Sequence, residues 1–189
     1  GVNVFTGIIE SLGRVERIES RGKDLVLSIQ SGKLDLSDVH LGDSIAVNGV
    51  CLTVISLTGH GFTADVSAES LANTKIKHYS AGTHVNLEKA LTLATRLGGH
   101  MVSGHVDGVG TVMDKTNDGR SIRIDIKCPQ ALGKYIANKG SITVDGVSLT
   151  VTGCTKDSFS LNIVPHTVAE TTIQTFQKGQ AVHVEVDLI

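Results

Sequence analysis

The sequence predicts an all-β protein built as two copies of one small closed barrel. Three observations carry this. The heptapeptide "NGVCLTV" at 48–54 returns as "DGVSLTV" at 145–151, and the rest of the chain repeats at the same shift. Short segments in each copy alternate apolar and polar residues, the period of a half-buried strand. Glycine, Asn-Gly and Asp-Gly separate these segments at close spacing, as hairpin turns require.

The repeat spans nearly the whole chain. "VFTGIIESLGRV" (4–15) lies over "MVSGHVDGVGTV" (101–112), with Gly7 on Gly104 and Gly13 on Gly110. "GFTADVSAESLANT" (61–74) lies over "SFSLNIVPHTVAET" (158–171), and "GTHVNLE" (82–88) over "GQAVHVE" (179–185). A one-residue slip is needed only near Gly42 and Gly140. This is a tandem duplication of period too long for a solenoid. It divides the chain into domains 1–97 and 98–189, joined near "LTLATRLGGH" (91–100).

In order, the first copy predicts strands in its opening block, "DLVLSIQ", "DSIAVNG", "VCLTVIS", "FTADVS" and "HVNLE". The second predicts them in its opening block, "SIRIDIK", "SITVDG", "VSLTVTG", "FSLNIV" and "AVHVEVDLI". About six strands in so short a unit favour a closed barrel, since closure removes exposed edges. Two helical stretches interrupt the strands of each copy. "GKLDLSDVHLG" (32–42) corresponds to "QALGKYIANKG" (130–140), and "SAESLANTKI" (67–76) to "PHTVAETTIQ" (165–174).

Composition excludes several classes. Of 189 residues, 40% are hydrophobic and 19% charged, enough to bury a core. The net charge of −2 leaves no basic footprint for nucleic acid and no polybasic membrane patch. Aromatics at 3%, with no Trp, argue against stacking platforms for single strands. Cys51, Cys128 and Cys154 are odd in number and widely spaced, with no C-x-x-C; free thiols are the expectation, and with them a cytoplasmic location. No apolar run is of membrane-spanning length, and the start has no signal-peptide pattern. Gly1 to Asn3 read as an addition to the native chain.

Cys51 and Thr53 fall on one face of their strand, and Ser148 and Thr150 on the equivalent face of theirs. That pattern is a polar lining or ordinary core Thr, Ser and Cys. His100 and His105 are five apart and would face opposite sides of a strand, so one metal cannot take both directly. No dinucleotide fingerprint, Walker A or G-x-S-x-G motif is present. Lys139 before Gly140 reads as a solvated charge, and "VPHT" as a strand-ending turn. The residues alone give no reaction.

Taken together, "FTGII", "NGVCLTV", "GGHMVSGHVDG", "KGSITVDGVSLTV" and "VPHT", in this order from Val4 to Ile189, resemble the α-type riboflavin synthase family. The resemblance implies two homologous six-stranded antiparallel Greek-key β-barrels with short helices. It implies a homotrimer whose active site lies between the first barrel of one subunit and the second barrel of the next. The implied reaction converts two molecules of 6,7-dimethyl-8-ribityllumazine into riboflavin and 5-amino-6-ribitylaminouracil by four-carbon transfer, with no metal or redox cofactor. A lumazine-holding antenna protein of the same duplicated fold is the rival. An association with lumazine synthase is a further implied partnership.

Carried over to this chain, the resemblance assigns ligand contacts in the first barrel to Gly7, Ile8 and Ile9, to Cys51, Leu52 and Thr53, and to Asp65, Val66, Ser67, Ala68, Glu69 and Ser70. In the second barrel it assigns them to Gly104, His105 and Val106, to Ser148, Leu149 and Thr150, and to Ile163, Val164, Pro165, His166, Thr167 and Val168. Lys139 is implied to reach a neighbouring subunit's ligand. His100, Asp145 and Asp187 are placed near the site. His105, Ser148 and Thr150 are expected to handle protons at one pocket, with Cys51 as nucleophile, relay or supporting group at the other. The family has Met where Val4 stands. It also continues past "VEVD" into an amphipathic helix, so a chain ending at Ile189 is expected to trimerise more weakly.

Overall fold

The computed structural model of the chain describes residues 3–91 and 99–187. Two closed antiparallel barrels stand in it, each of six strands. The first holds β1 (Ser11–Arg21), β2 (Asp24–Gln30), β3 (Ser44–Val47), β4 (Val50–Leu57), β5 (Gly61–Val66) and β6 (His84–Lys89), closed in the order β1-β2-β5-β4-β3-β6. The second holds β7 (Gly108–Asp118), β8 (Ser121–Lys127), β9 (Ser141–Val144), β10 (Val147–Cys154), β11 (Ser158–Ile163) and β12 (Ala181–Val186) in the equivalent order. In each, the third strand skips its predecessor and pairs with the fourth and sixth, which is the Greek-key connection. The expected division at 97/98 falls within 92–98, outside the described residues, as do the last two residues of "AVHVEVDLI".

Period-two patterning builds each core. Leu27, Ile29, Ile45, Val47, Phe62, Ala64 and Leu87 fill one barrel, and Ile124, Ile126, Ile142, Val144, Phe159, Leu161 and Val184 fill the other, all essentially inaccessible to solvent. Bulges recur at equivalent places: between Val15 and Arg17 and between Val112 and Asp114, and again between Val54 and Ser56 and between Val151 and Gly153. These bends help a six-stranded sheet to close.

Helix α1 (Ala68–Asn73) and helix α2 (Pro165–Glu170) lie where expected, each followed by a 3₁₀ turn. A 3₁₀ helix covers Gln130–Tyr135. Its expected partner at 32–42 is not helical. There Asp35 accepts from the Ser37 N–H and Asp43 from the His40 N–H, so side chains satisfy the backbone in turns instead.

The opening blocks also differ from expectation. β1 starts only at Ser11 and β7 only at Gly108. The residues before them leave their own barrels, and Phe5 and Val102 pair with each other as an antiparallel bridge, N–H to O at 2.7 and 2.9 Å. Each leading segment thereby crosses to the other barrel.

A buried polar seam holds the barrels together. The turns Asn48-Gly49 and Asp145-Gly146 pack back to back, all four residues at positive φ; a Cβ on either glycine would lie 2.7 Å from the other's backbone nitrogen. Asn86 on β6 donates to the Asp145 carbonyl (3.0 Å) and accepts from the Thr172 N–H (2.8 Å). His183, its equivalent on β12, donates through Nδ1 to the Asn48 carbonyl (2.8 Å) and accepts through Nε2 from the Lys75 N–H (3.0 Å). Lys75 Nζ meets Asp145 Oδ2 at 2.6 Å, and Asp145 Oδ1 accepts from the His183 N–H. Burial, with the Lys75 charge adding to it, holds the His183 pKa below its ordinary value despite Asp145, so the imidazole is neutral.

Candidate active site

Tight hairpins set the two polar walls. Val47 pairs with Val50 and Val144 with Val147, leaving two-residue turns whose Asn-Gly and Asp-Gly adopt the left-handed conformations that such turns demand. The strand that follows must alternate. Leu52 and Val54 enter the first core, while Cys51 is half-buried and Thr53 exposed. In the second barrel Val151 enters the core, and Ser148 and Thr150 take the outward positions. These four side chains lie outside the cores, on the outer faces of β4 and β10.

The crossing regroups the expected site residues. The Gly7 carbonyl accepts from the Ser148 N–H at 2.7 Å, and the Gly104 carbonyl from the Cys51 N–H at 2.9 Å. Ile9 packs on the second core and Val106 on the first. Gly7, Ile8 and Ile9 therefore face Ser148, Leu149 and Thr150 beside Ile163–Val168. Gly104, His105 and Val106 face Cys51, Leu52 and Thr53 beside Asp65–Ser70. The expectation that placed each leading segment on its own barrel is reversed. His105 is consequently parted from Ser148 and Thr150 within the subunit. Close approach explains both glycines: a Cβ on Gly7 would lie 2.5 Å from the Ser148 Cβ, and one on Gly104 2.7 Å from the Cys51 Cβ.

Two buried carboxylates fasten these segments. Glu88 on β6 accepts from the Thr6 N–H and hydroxyl (both 2.7 Å) and the Gly7 N–H (3.0 Å). Glu185 on β12 accepts from the Ser103 N–H (2.8 Å) and hydroxyl (3.1 Å) and the Gly104 N–H (3.0 Å). Burial pushes both carboxyls above the ordinary range, and the hydrogen bonds oppose it.

His100, named only as near the site, joins the second wall. Its Nδ1 lies 2.6 Å from Ser148 Oγ, and its backbone N–H donates to the Thr6 carbonyl. Burial lowers its pKa while Asp187 raises it, so a neutral imidazole faces the hydroxyl and can accept its proton. Asp145 is buried in the seam between barrels, on the turn that leads into Ser148. Lys139 is exposed on the turn into β9, at φ 67°. Neither wall is enclosed. Thr53, Asp65 and Ser67–Glu69 are exposed on one side, and Thr150 and Val164–His166 on the other. A cleft of about 470 Å³ opens beside Thr6, Ile8, Ser44 and Glu88, sharing Ile8 with the second wall.

The lumazine binding domain family matches the chain twice, over residues 6–90 and 103–187. The chain belongs to the lumazine-binding family. Each match opens within a leading segment, ahead of Gly7 or Gly104, and closes just past a last strand, so each lumazine-binding repeat supplies one barrel and the strap that crosses from it. The chain is 52% identical to the riboflavin synthase of Photobacterium phosphoreum over 186 residues, covering 98% of this chain and 85% of that protein. It is 44% identical to that of Bacillus subtilis (strain 168), covering 98% and 86%. Among solved structures, LumP complexed with riboflavin superposes with a TM-score of 0.89 at 27% identity, covering 97% of this chain and 99% of that one. LumP complexed with 6,7-dimethyl-8-(1'-D-ribityl) lumazine gives 0.87 at the same identity and a like coverage.

Proposed function

We propose that this chain is a riboflavin synthase. It takes two molecules of 6,7-dimethyl-8-ribityllumazine and moves a four-carbon unit from one to the other, giving riboflavin and 5-amino-6-ribitylaminouracil. The observation that carries the reading is identity of 44–52% to riboflavin synthases across 98% of the chain. The geometry supports it. Two related but unlike polar walls suit two identical molecules with unlike roles, one donor and one acceptor. Holding both rings in register supplies much of the rate, because orientation alone is worth large effective molarities.

In this reading Ser148, polarised by neutral His100, serves the acceptor chemistry at one wall, and His105 with Thr53 serves the other. Cys51 supports the wall, since its N–H holds the Gly104 strap. Each wall is an open shelf, whereas small-molecule sites bury most of their ligand. A neighbouring copy of the chain supplies the cover, and in this reading the working form is a homotrimer with Lys139 reaching across. Free thiols at Cys51, Cys128 and Cys154 accord with a cytoplasmic enzyme, and among the described residues no helix is long and apolar enough to cross a membrane. The reading includes association with lumazine synthase.

The test is incubation with 6,7-dimethyl-8-ribityllumazine alone. Riboflavin should appear with one equivalent of 5-amino-6-ribitylaminouracil. Tight lumazine binding without riboflavin would instead support a non-catalytic lumazine-binding protein of the antenna type.

A further inference from the structure

We infer that Glu88 and Glu185 are crossed positioning residues, each belonging to one barrel and setting the ligand wall of the other. Glu88 closes the first barrel as part of β6, yet its carboxylate grips Thr6 and Gly7, whose continuation lies on Ser148. Glu185 closes the second barrel on β12 and grips Ser103 and Gly104, which lie on Cys51. The grip extends one residue further. Thr6 Oγ1, donating to Glu88, accepts from the Ile8 N–H at 3.0 Å. Ser103 Oγ, donating to Glu185, accepts from the His105 N–H at 3.0 Å. Three consecutive N–H groups are thus ordered by one carboxylate, two directly and one through a hydroxyl. That arrangement repeats atom for atom in both halves.

A carboxylate that only stabilised its own barrel would have no reason to reach a segment that leaves that barrel. Here each forms its hydrogen bonds at the point of departure, where the strap turns toward the other wall. Glu185 thereby fixes the backbone of His105 over Cys51, and Glu88 fixes Ile8 beside Ser148. The consequence for catalysis rests on the riboflavin synthase reading; the positioning itself does not.

Thiol alkylation tests it without any lumazine. Cys51 reports on the Glu185 strap, and a Ser148→Cys thiol reports on the Glu88 strap. Iodoacetamide labelling is followed at each site by peptide-resolved mass spectrometry. Glu185→Gln should speed labelling of Cys51 about tenfold, the factor that loss of one hydrogen bond to a charged group allows, and leave the thiol at 148 unchanged. Glu88→Gln should do the reverse. Equal acceleration at both sites, acceleration only within the mutated barrel, or no change at either would overturn the inference. If the Gln variants fail to fold, Ser103→Ala and Thr6→Val remove only the hydroxyl from each grip, and should show the same crossed pattern with a smaller factor.

Discussion

His183→Asn is the most incisive perturbation of the seam between barrels. Asn86, its equivalent, already shows what an asparagine does there: it donates to one turn carbonyl and accepts one N–H. His183 makes the same two bonds in mirror image, to Asn48 and from Lys75. Asparagine at 183 therefore keeps the hydrogen bonding and removes the titration. Protonating His183 would put a second donor against the Lys75 N–H, beside the Lys75 ammonium; Asp145, 3.7 Å away, is already neutralised by that ammonium. The folded-state pKa is depressed, so as pH falls the unfolded chain takes up a proton that the folded chain refuses. Stability is then lost on acidification from about pH 6.5, at up to about 1.4 kcal/mol per pH unit. From pH 6.5 to 5.5 the wild type should lose about 1 kcal/mol more than His183→Asn. Glu88 and Glu185, whose pKa values are raised, contribute in the opposite direction in both proteins and cancel in the comparison. Urea titrations followed by far-ultraviolet circular dichroism across this range measure the difference. Parallel stability profiles for the two proteins would refute the reasoning.

Three further outcomes are expected. Lys75→Ala leaves the Asp145 carboxylate buried without its ion-pair partner and should cost about 3 kcal/mol, readable as a lower urea midpoint, the retained His183 N–H keeping it at the low end for a broken buried pair. Gly104→Ala forces a side chain into φ 79° against the Cys51 Cβ and should cost 1–3 kcal/mol, roughly, while weakening lumazine binding at the first wall, as isothermal titration would show. Cys51→Ser makes the two walls alike and should retain substantial turnover, since the strap is held by the backbone N–H; a fall of several orders of magnitude with folding intact would assign the thiol a direct chemical role.

Strands were legible because each barrel is amphipathic at period two, and the hairpins because Asn-Gly and Asp-Gly have few alternatives to a two-residue turn. The segment 32–42 misled because its apolar spacing suits a helix, while Asp35 and Asp43 satisfy the backbone locally and favour turns. The walls at Cys51 and Ser148 followed from alternation. Their opposing straps did not. In a duplicated chain, Gly7 on Ser148 and Gly7 on Cys51 are equivalent as patterns, so no periodicity distinguishes a segment that stays from one that crosses. His100 escaped as a partner of Ser148 for a related reason: it sits on the leading segment, ahead of β7, its own barrel's first strand.

The crossed straps bear on how the chain is made. A first barrel leaving the ribosome can close its sheet and bury Leu27, Phe62 and Leu87 unaided. Its wall beside Cys51 stays bare until Gly104 has been synthesised, and Gly7 has no seat until Ser148 follows. At the usual 5–20 residues per second, the leading segment waits on the order of ten seconds for its binding place. Ile9 spends that interval without the second core it packs on, so the nascent first half carries an apolar segment that the second half later seats.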